Sequence, residues 1–189
     1  MKLKDILYSV SLLEVSGPTD LDISSVEFDS RKAVQGSLFV AVRGTVADGH
    51  QFIAKAAGQG AAAVVCEEIP AEKTPGVTYV AVSDSARALG RIASNYYGNP
   101  SGQLKLVGVT GTNGKTTVAT LLFQLFRELG FKAGLISTVQ NHINEVIVPS
   151  THTTPDPLTL NSLLNDMVAA GCDYCFMEVS PHAIVQRRI

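Results

Sequence analysis

A run of seven residues, Gly111-Thr112-Asn113-Gly114-Lys115-Thr116-Thr117, holds the strongest chemical signal in the chain. Two glycines let a ligand approach the backbone closely, Lys115 brings an ammonium, and the Thr116 hydroxyl is a hard oxygen suited to Mg²⁺. Between a strand and a helix, such a run gathers backbone N–H groups, a helix N-terminus and a cation around one point, and that point suits a polyphosphate. The spacing is a variant. The usual phosphate loop has glycine five positions before Gly114, but that position is Val109, and the nearest upstream glycines are Gly108 and Gly111. A Gly-Lys-Thr triplet beside a turn can also arise by chance and merely cap a helix, but here both flanks have the required pattern. Phosphate binding alone leaves kinase, hydrolase, motor and ligase open.

The elements that must position this loop read clearly. A strand over 104–109 leads in, and a helix from about 115 to 129, stopped by Gly130, leads out. A strand over 133–137, a hairpin around 142–148, a helix opened by Asp156-Pro157 and closed by Gly171, and a strand over 174–179 follow. Upstream, β-rich runs at 25–28 and 38–42 read as paired strands. A helix from Asp48-Gly49 to Ala57, strands over 62–66 and 77–82, and a helix over 85–97 complete that block. Gly98-Asn99-Pro100-Ser101-Gly102 is the densest turn-forming cluster, so a boundary is placed there, giving domains 1–100 and 101–189. Near-continuous apolar strands alternating with helices predict an α/β fold in both blocks, with parallel sheets covered on both faces.

Composition narrows the function classes. The 189 residues are 46% hydrophobic and 17% charged, enough for one good core or two modest ones. Fifteen basic and seventeen acidic side chains give a net charge of -2 with no long run of either sign, so nucleic-acid binding is not expected. No apolar run approaches the ~20 residues of a membrane span, so no membrane insertion and a cytoplasmic location are expected. Cys66, Cys172 and Cys175 lie in apolar segments and read as reduced core thiols. Residues three apart on a strand point to opposite faces, which argues against Cys172 and Cys175 as a metal or redox pair.

The stretch Thr110 to Thr117 resembles the Thr-Gly-Thr-Asn-Gly-Lys-Thr-Thr loop of the Mur ligase family. Phe28-Asp29-Ser30-Arg31, Gly36-Ser37-Leu38-Phe39-Val40-Ala41, Ala47-Asp48-Gly49-His50 and Met177-Glu178-Val179-Ser180-Pro181-His182 extend the likeness over nearly the whole chain. The spacing of Glu178, Ser180, His182, Gln186 and Arg188 is similar to the branch of that family that extends UDP-N-acetylmuramoyl-L-Ala-D-Glu.

The resemblance implies an N-terminal uridine-nucleotide domain followed by part of a central ATP-binding domain with a parallel sheet. It also implies a cell-wall precursor ligase that forms an amide between the D-glutamate carboxylate and lysine or meso-diaminopimelate, through an acyl phosphate, with ATP and Mg²⁺ as cofactors. By the same likeness, Gly111 to Thr117 would hold ATP, Lys115 and Glu178 would be catalytic, and Thr116 and Glu178 would ligate the metal. Phe28, Ser30, Thr45, Val46 and Ala47 would hold the uridine diphosphate end. His152, Thr153, Thr154, Ser180, Gln186 and Arg188 would contact the muramoyl-dipeptide. His152 stands where some relatives have asparagine, and either side chain can donate a hydrogen bond. Pro181 stands where relatives often have serine, which removes a hydroxyl and an N–H.

In the family the central domain continues past this point and a third domain follows, so the sequence is expected to be a piece of a longer protein, without ligase activity by itself. Two alternatives stay open. One is a related amide ligase: MurF, against which the Ser180 to Arg188 spacing argues, or a folylpolyglutamate or cyanophycin synthetase. The Asp29-Ser30-Arg31 block argues against the folate enzymes. The other is a non-catalytic nucleotide-binding module, disfavoured by intact Lys115, Thr116 and Glu178.

Overall fold

The computed structural model describes residues 1–44, 47–150 and 153–187. The chain divides into two compact units, Met1–Tyr96 and Tyr97–Ile189.

In the first unit, α1 (Leu3–Ile6), β1 (Leu12–Ser16), β2 (Val26–Glu27), β3 (Leu38–Val40), α2 (Ile53–Gly58), β4 (Ala63–Cys66), β5 (Thr78–Val82) and α3 (Ser85–Tyr96) follow in order. The sheet order is β1-β5-β4-β3-β2, with β2 to β5 parallel and β1 antiparallel to β5. Strands β3, β4 and β5 are buried along their whole length, as their uninterrupted apolar runs require. Phe39, Val64, Cys66 and Tyr79 share one face with Ile53 and Ala56 of α2. Strand β1, Leu12-Leu13-Glu14-Val15-Ser16, escapes sequence reading because it pairs on one side only and stays largely exposed, so no clean alternation marks it.

A buried amide ties the first turn of this unit to its last helix. Asn95 Nδ2 donates to Ile6 O at 2.8 Å and to Tyr8 O at 2.7 Å. The short α1 buries Leu3 and Ile6 fully, and this tether holds its exit.

The second unit contains β6 (Lys105–Val109), α4 (Lys115–Glu128), β7 (Ala133–Ile136), β8 (Gln140–Ile143), β9 (Val146–Pro149), α5 (Pro157–Ala169), β10 (Tyr174–Glu178) and α6 (Pro181–Val185). A 3₁₀ turn at Pro100–Gln103 precedes β6 and packs against α5. The sheet order is β6-β10-β7-β8-β9. Helix α4 packs Ala119 and Phe123 against Leu135 and Phe176. Helix α5 packs Leu160, Leu164 and Met167 against Ile136, Cys175 and Met177 on the opposite face.

Three sequence expectations need correction. Both sheets are mixed rather than parallel, because β1 joins an edge in reverse and the β8–β9 hairpin, turning at Asn144 with φ 53°, reverses twice. Strand β6 is exposed over most of its length rather than covered on both faces, and among the described residues it lies at the sheet edge, paired with β10. Cys172 precedes β10 instead of lying on it, so its thiol packs in the same apolar cluster as Cys175 rather than on the opposite face. Both are free and buried, and burial pushes both thiols up in pKa. Among the described residues no cluster suited to a metal ion includes them.

Replacing Asn95 by alanine leaves two carbonyls without their donor, and an unsatisfied buried polar group costs about 1–3 kcal/mol. Urea unfolding of N95A should show a loss of stability in that range.

Candidate functional site

The glycine run lies where β6 ends and α4 begins. Gly111 and Gly114 adopt φ of 147° and 80°, a region L side chains rarely enter, so the turn itself requires glycine. A side chain at Gly114 would meet nothing within 4 Å, so the space beside the loop is open. Gly114 caps α4 without a side-chain acceptor. The N–H groups at the helix start thus receive no side-chain bond from the cap residue, and a helix start of this kind suits anions. Thr112, Asn113 and Thr117 are exposed around the same turn. The Lys115 ammonium folds back over the loop, donating to Gly111 O at 2.7 Å and Thr112 O at 3.4 Å.

Glu178 closes β10 beside β6, in register with Val109. Its side chain is 1% exposed. Oε2 accepts from the Thr116 hydroxyl at 2.9 Å and the Thr138 hydroxyl at 3.1 Å, and Oε1 accepts from the Thr138 N–H at 2.8 Å. Among the described residues no basic side chain forms a salt bridge with it. A buried carboxylate held only by neutral donors is costly unless a cation completes its surroundings. The chemistry fits Mg²⁺. The Thr116 hydroxyl and the Glu178 carboxylate present two hard oxygens 2.9 Å apart, the ligand type that Mg²⁺ takes.

The residues after β9 reach the same place. Thr154 is buried, donates to Glu178 O at 3.0 Å and accepts from the Ser180 N–H at 3.1 Å. Its hydroxyl thus fixes the chain around Glu178. Thr153 lies 3.1 Å from the Thr138 hydroxyl. Ser180 caps α6 by accepting from Ala183 N–H, and Pro181 takes the first helical position, where its missing N–H would have been unpaired in any case. Gln186 follows α6 and is half-buried. His152 and Arg188 lie outside the described residues. Thr138 was not singled out from sequence. Its one sequence signal is its place just past the end of a strand parallel to β10, the end of an α/β sheet at which ligands gather.

In the first unit the segments following β2, β3, β4 and β5 leave the same end of the sheet, since those strands are parallel. After β2, Arg31 grips Asp29 with its side-chain fork, Nε at 2.9 and 3.1 Å and Nη2 at 2.7 Å, and its own N–H donates at 3.0 Å. That guanidinium holds the Asp29 carboxyl down at about 2. Between them Ser30 is buried, and Phe28 is 39% exposed.

After β3, Asp48 accepts from the His50 N–H and lies 2.6 Å from His50 Nδ1. His50 Nε2 accepts from the Glu67 N–H at 2.9 Å, which assigns the ring proton to Nδ1. Arg43 pairs with Glu67 at 3.1 Å, and Glu67 in turn accepts from the Ser85 N–H and hydroxyl at the head of α3. A network of side chains thus fastens the segment after β3 to the ends of β4 and α3. Gly49 belongs to it for a steric reason: a Cβ there would lie 2.7 Å from Val42 O and 2.8 Å from Val42 N. Ala47 is exposed beside this network, and Thr45 and Val46 lie outside the described residues.

The fold and the loop define a two-unit α/β protein whose second unit carries a phosphate-loop-like turn at a helix N-terminus. Residues 22–97 match the family model described as Mur ligase family, catalytic domain, and residues 109–189 match the Mur ligase middle domain, so the chain belongs to the Mur ligase family. It is 62% identical over 190 residues to a UDP-N-acetylmuramoyl-L-alanyl-D-glutamate--2,6-diaminopimelate ligase of Cytophaga hutchinsonii, covering 100% of this chain and 39% of that protein. It is 55% identical to the ligase of the same name from Bacteroides fragilis, again covering 100% of this chain and 39% of that protein. The chain therefore spans about two fifths of the length of these curated relatives.

A solved structure of a ligase of that name superposes with a TM-score of 0.77 at 24% identity, covering 100% of this chain and 37% of that one, which shows the shared fold. The MurF ligase from Thermotoga maritima in complex with ADP superposes with a TM-score of 0.57 at 28% identity, covering 86% of this chain and 34% of that one.

Two outcomes follow from this geometry. Asp29 is held below its ordinary 3.8, so its contribution to stability is complete above about pH 4 and is lost as pH falls toward 2. Urea unfolding between pH 2 and pH 5 should show D29N losing less stability over that window than wild type. G49A forces a side chain against the Val42 backbone, and its urea midpoint should report a loss of about 1–3 kcal/mol.

Proposed function

We propose that this chain is the nucleotide-binding front part of an ATP-dependent UDP-N-acetylmuramoyl-tripeptide synthetase acting in the cytoplasm on a cell-wall precursor. The observation that carries this reading is the buried Glu178 carboxylate bonded to the Thr116 hydroxyl at the head of the glycine loop. The names of its relatives favour 2,6-diaminopimelate over lysine as the amino acid added.

In this reading the N–H groups of Gly111 to Thr117 receive the ATP phosphates, and Lys115 leaves the loop carbonyls to neutralise the outer ones. Thr116 and Glu178 would hold Mg²⁺, which would supply charge neutralisation for the transferring phosphoryl group. The D-glutamate carboxylate of UDP-N-acetylmuramoyl-L-Ala-D-Glu attacks the γ-phosphorus and ADP leaves. The diamino acid's amine then attacks the acyl phosphate carbon, losing a proton as inorganic phosphate departs and the amide forms. Phe28, Ser30, Thr45, Val46 and Ala47 receive the uridine diphosphate end. The loop 152–154, Ser180, Gln186 and Arg188 receive the muramoyl-dipeptide, whose carboxylates call for hydroxyl, amide and guanidinium donors.

Calorimetric titration tests both halves. ATP·Mg²⁺ should bind the full-length protein, and K115A should weaken it by about 10- to 100-fold, the worth of a charge-assisted hydrogen bond. UDP-N-acetylmuramoyl-L-Ala-D-Glu should bind as well. Failure of the sugar nucleotide to bind while ATP binds would point to an amide ligase of other substrate class. The 189-residue chain, supplied with all substrates in a coupled phosphate-release assay, should show no substrate-dependent turnover, and turnover would refute that part.

A further inference from the structure

Among the described residues, Thr138 supplies two of the three hydrogen bonds made to the Glu178 carboxylate. It stands two positions past the end of β7 and brings two separate donors to one carboxylate. Its N–H donates to Oε1 at 2.8 Å and its hydroxyl to Oε2 at 3.1 Å. The pair spans both oxygens and so fixes the carboxylate's rotation about its last bond, which a single donor would leave free. A hydroxyl has one proton and a carboxylate only accepts, so the Thr138 proton goes to Glu178. The Thr153 hydroxyl, 3.1 Å away, then donates to Thr138. Thr153, Thr138 and Glu178 form a directed chain that ends on the same Oε2 that meets Thr116.

We propose that Thr138 is a positioning residue: it holds the Glu178 carboxylate in the rotation that pairs Oε2 with Thr116, and it links that carboxylate to the Thr153–Thr154 loop. This rests on Glu178 and Thr116 holding the divalent ion. Partners that orient a ligating group commonly set metal affinity even though they never touch the ion. Thr138 differs from a packing residue because it is exposed, so its hydroxyl contributes through these hydrogen bonds and not through core volume.

The test is a Mn²⁺ titration in the presence of ATP, followed by water-proton relaxation, which reports the protein-bound ion. It compares the full-length protein with T138V, T138S and E178Q. T138V keeps the backbone donor and the shape but loses the hydroxyl, and it should bind Mn²⁺ about tenfold more weakly or worse. T138S retains the hydroxyl and should stay close to wild type. E178Q should lose the protein-bound signal. Urea unfolding of T138V should remain a single cooperative transition, its midpoint lowered by no more than the loss of one hydrogen bond to the carboxylate.

Wild-type affinity in T138V, with E178Q defective, overturns the role of Thr138 and leaves Glu178 as the ligand. Equal weakening in T138S and T138V also overturns it, because the hydroxyl would then not be the cause. Wild-type affinity in E178Q overturns the metal reading on which the proposal stands.

Discussion

A carboxylate buried at the end of a strand, with neutral donors around it and no cation to pair with among the described residues, sets the terms for the second unit. Glu178 accepts from Thr116 at the start of α4, from Thr138 after β7, and its carbonyl accepts from Thr154 before α5. Three connections that are far apart in sequence therefore converge on one residue. Two of them give a hydroxyl to its carboxylate, which satisfies the oxygens without neutralising the charge, and the third bonds its backbone carbonyl.

The glycine loop is built to the opposite sign. Its backbone bends through conformations that only glycine enters easily, and it leads into a helix start, where the macrodipole is positive. Lys115 lies over the loop's own carbonyls, which accept from its ammonium. The first unit solves a different problem. There the charged groups are paired among themselves, Arg31 with Asp29 and Arg43 with Glu67, and His50 bridges Asp48 to the Glu67 backbone. Those pairs shape the segments around Ser30 and Ala47.

Much of the framework was legible from residue order. Uninterrupted apolar runs such as Ala63–Cys66 and Thr78–Val82 mark strands buried on both faces, and Gly130 and Gly171 mark helix ends by their need for positive φ. Strand direction was not legible. A run such as Leu12–Ser16 has the same composition whether it joins a sheet parallel or antiparallel, and its direction depends on which edge is free when the chain returns. The exposure of β6 was hidden for a related reason, since an apolar strand announces that it wants neighbours but not how many it has.

What the sequence by itself determined is the chemistry on offer: a glycine-lysine-threonine turn between a strand and a helix, an acid closing an apolar strand, and the family to which they belong. These depend on residue type and local spacing, which covalent geometry carries directly. What only the tertiary structure decided is which groups meet. Thr138 stands 40 residues before Glu178 in sequence, yet it supplies that carboxylate's two-point grip because β7 and β10 lie side by side in the sheet. Pairing of this kind is chosen by the burial of whole faces, and no local pattern of residues records its outcome.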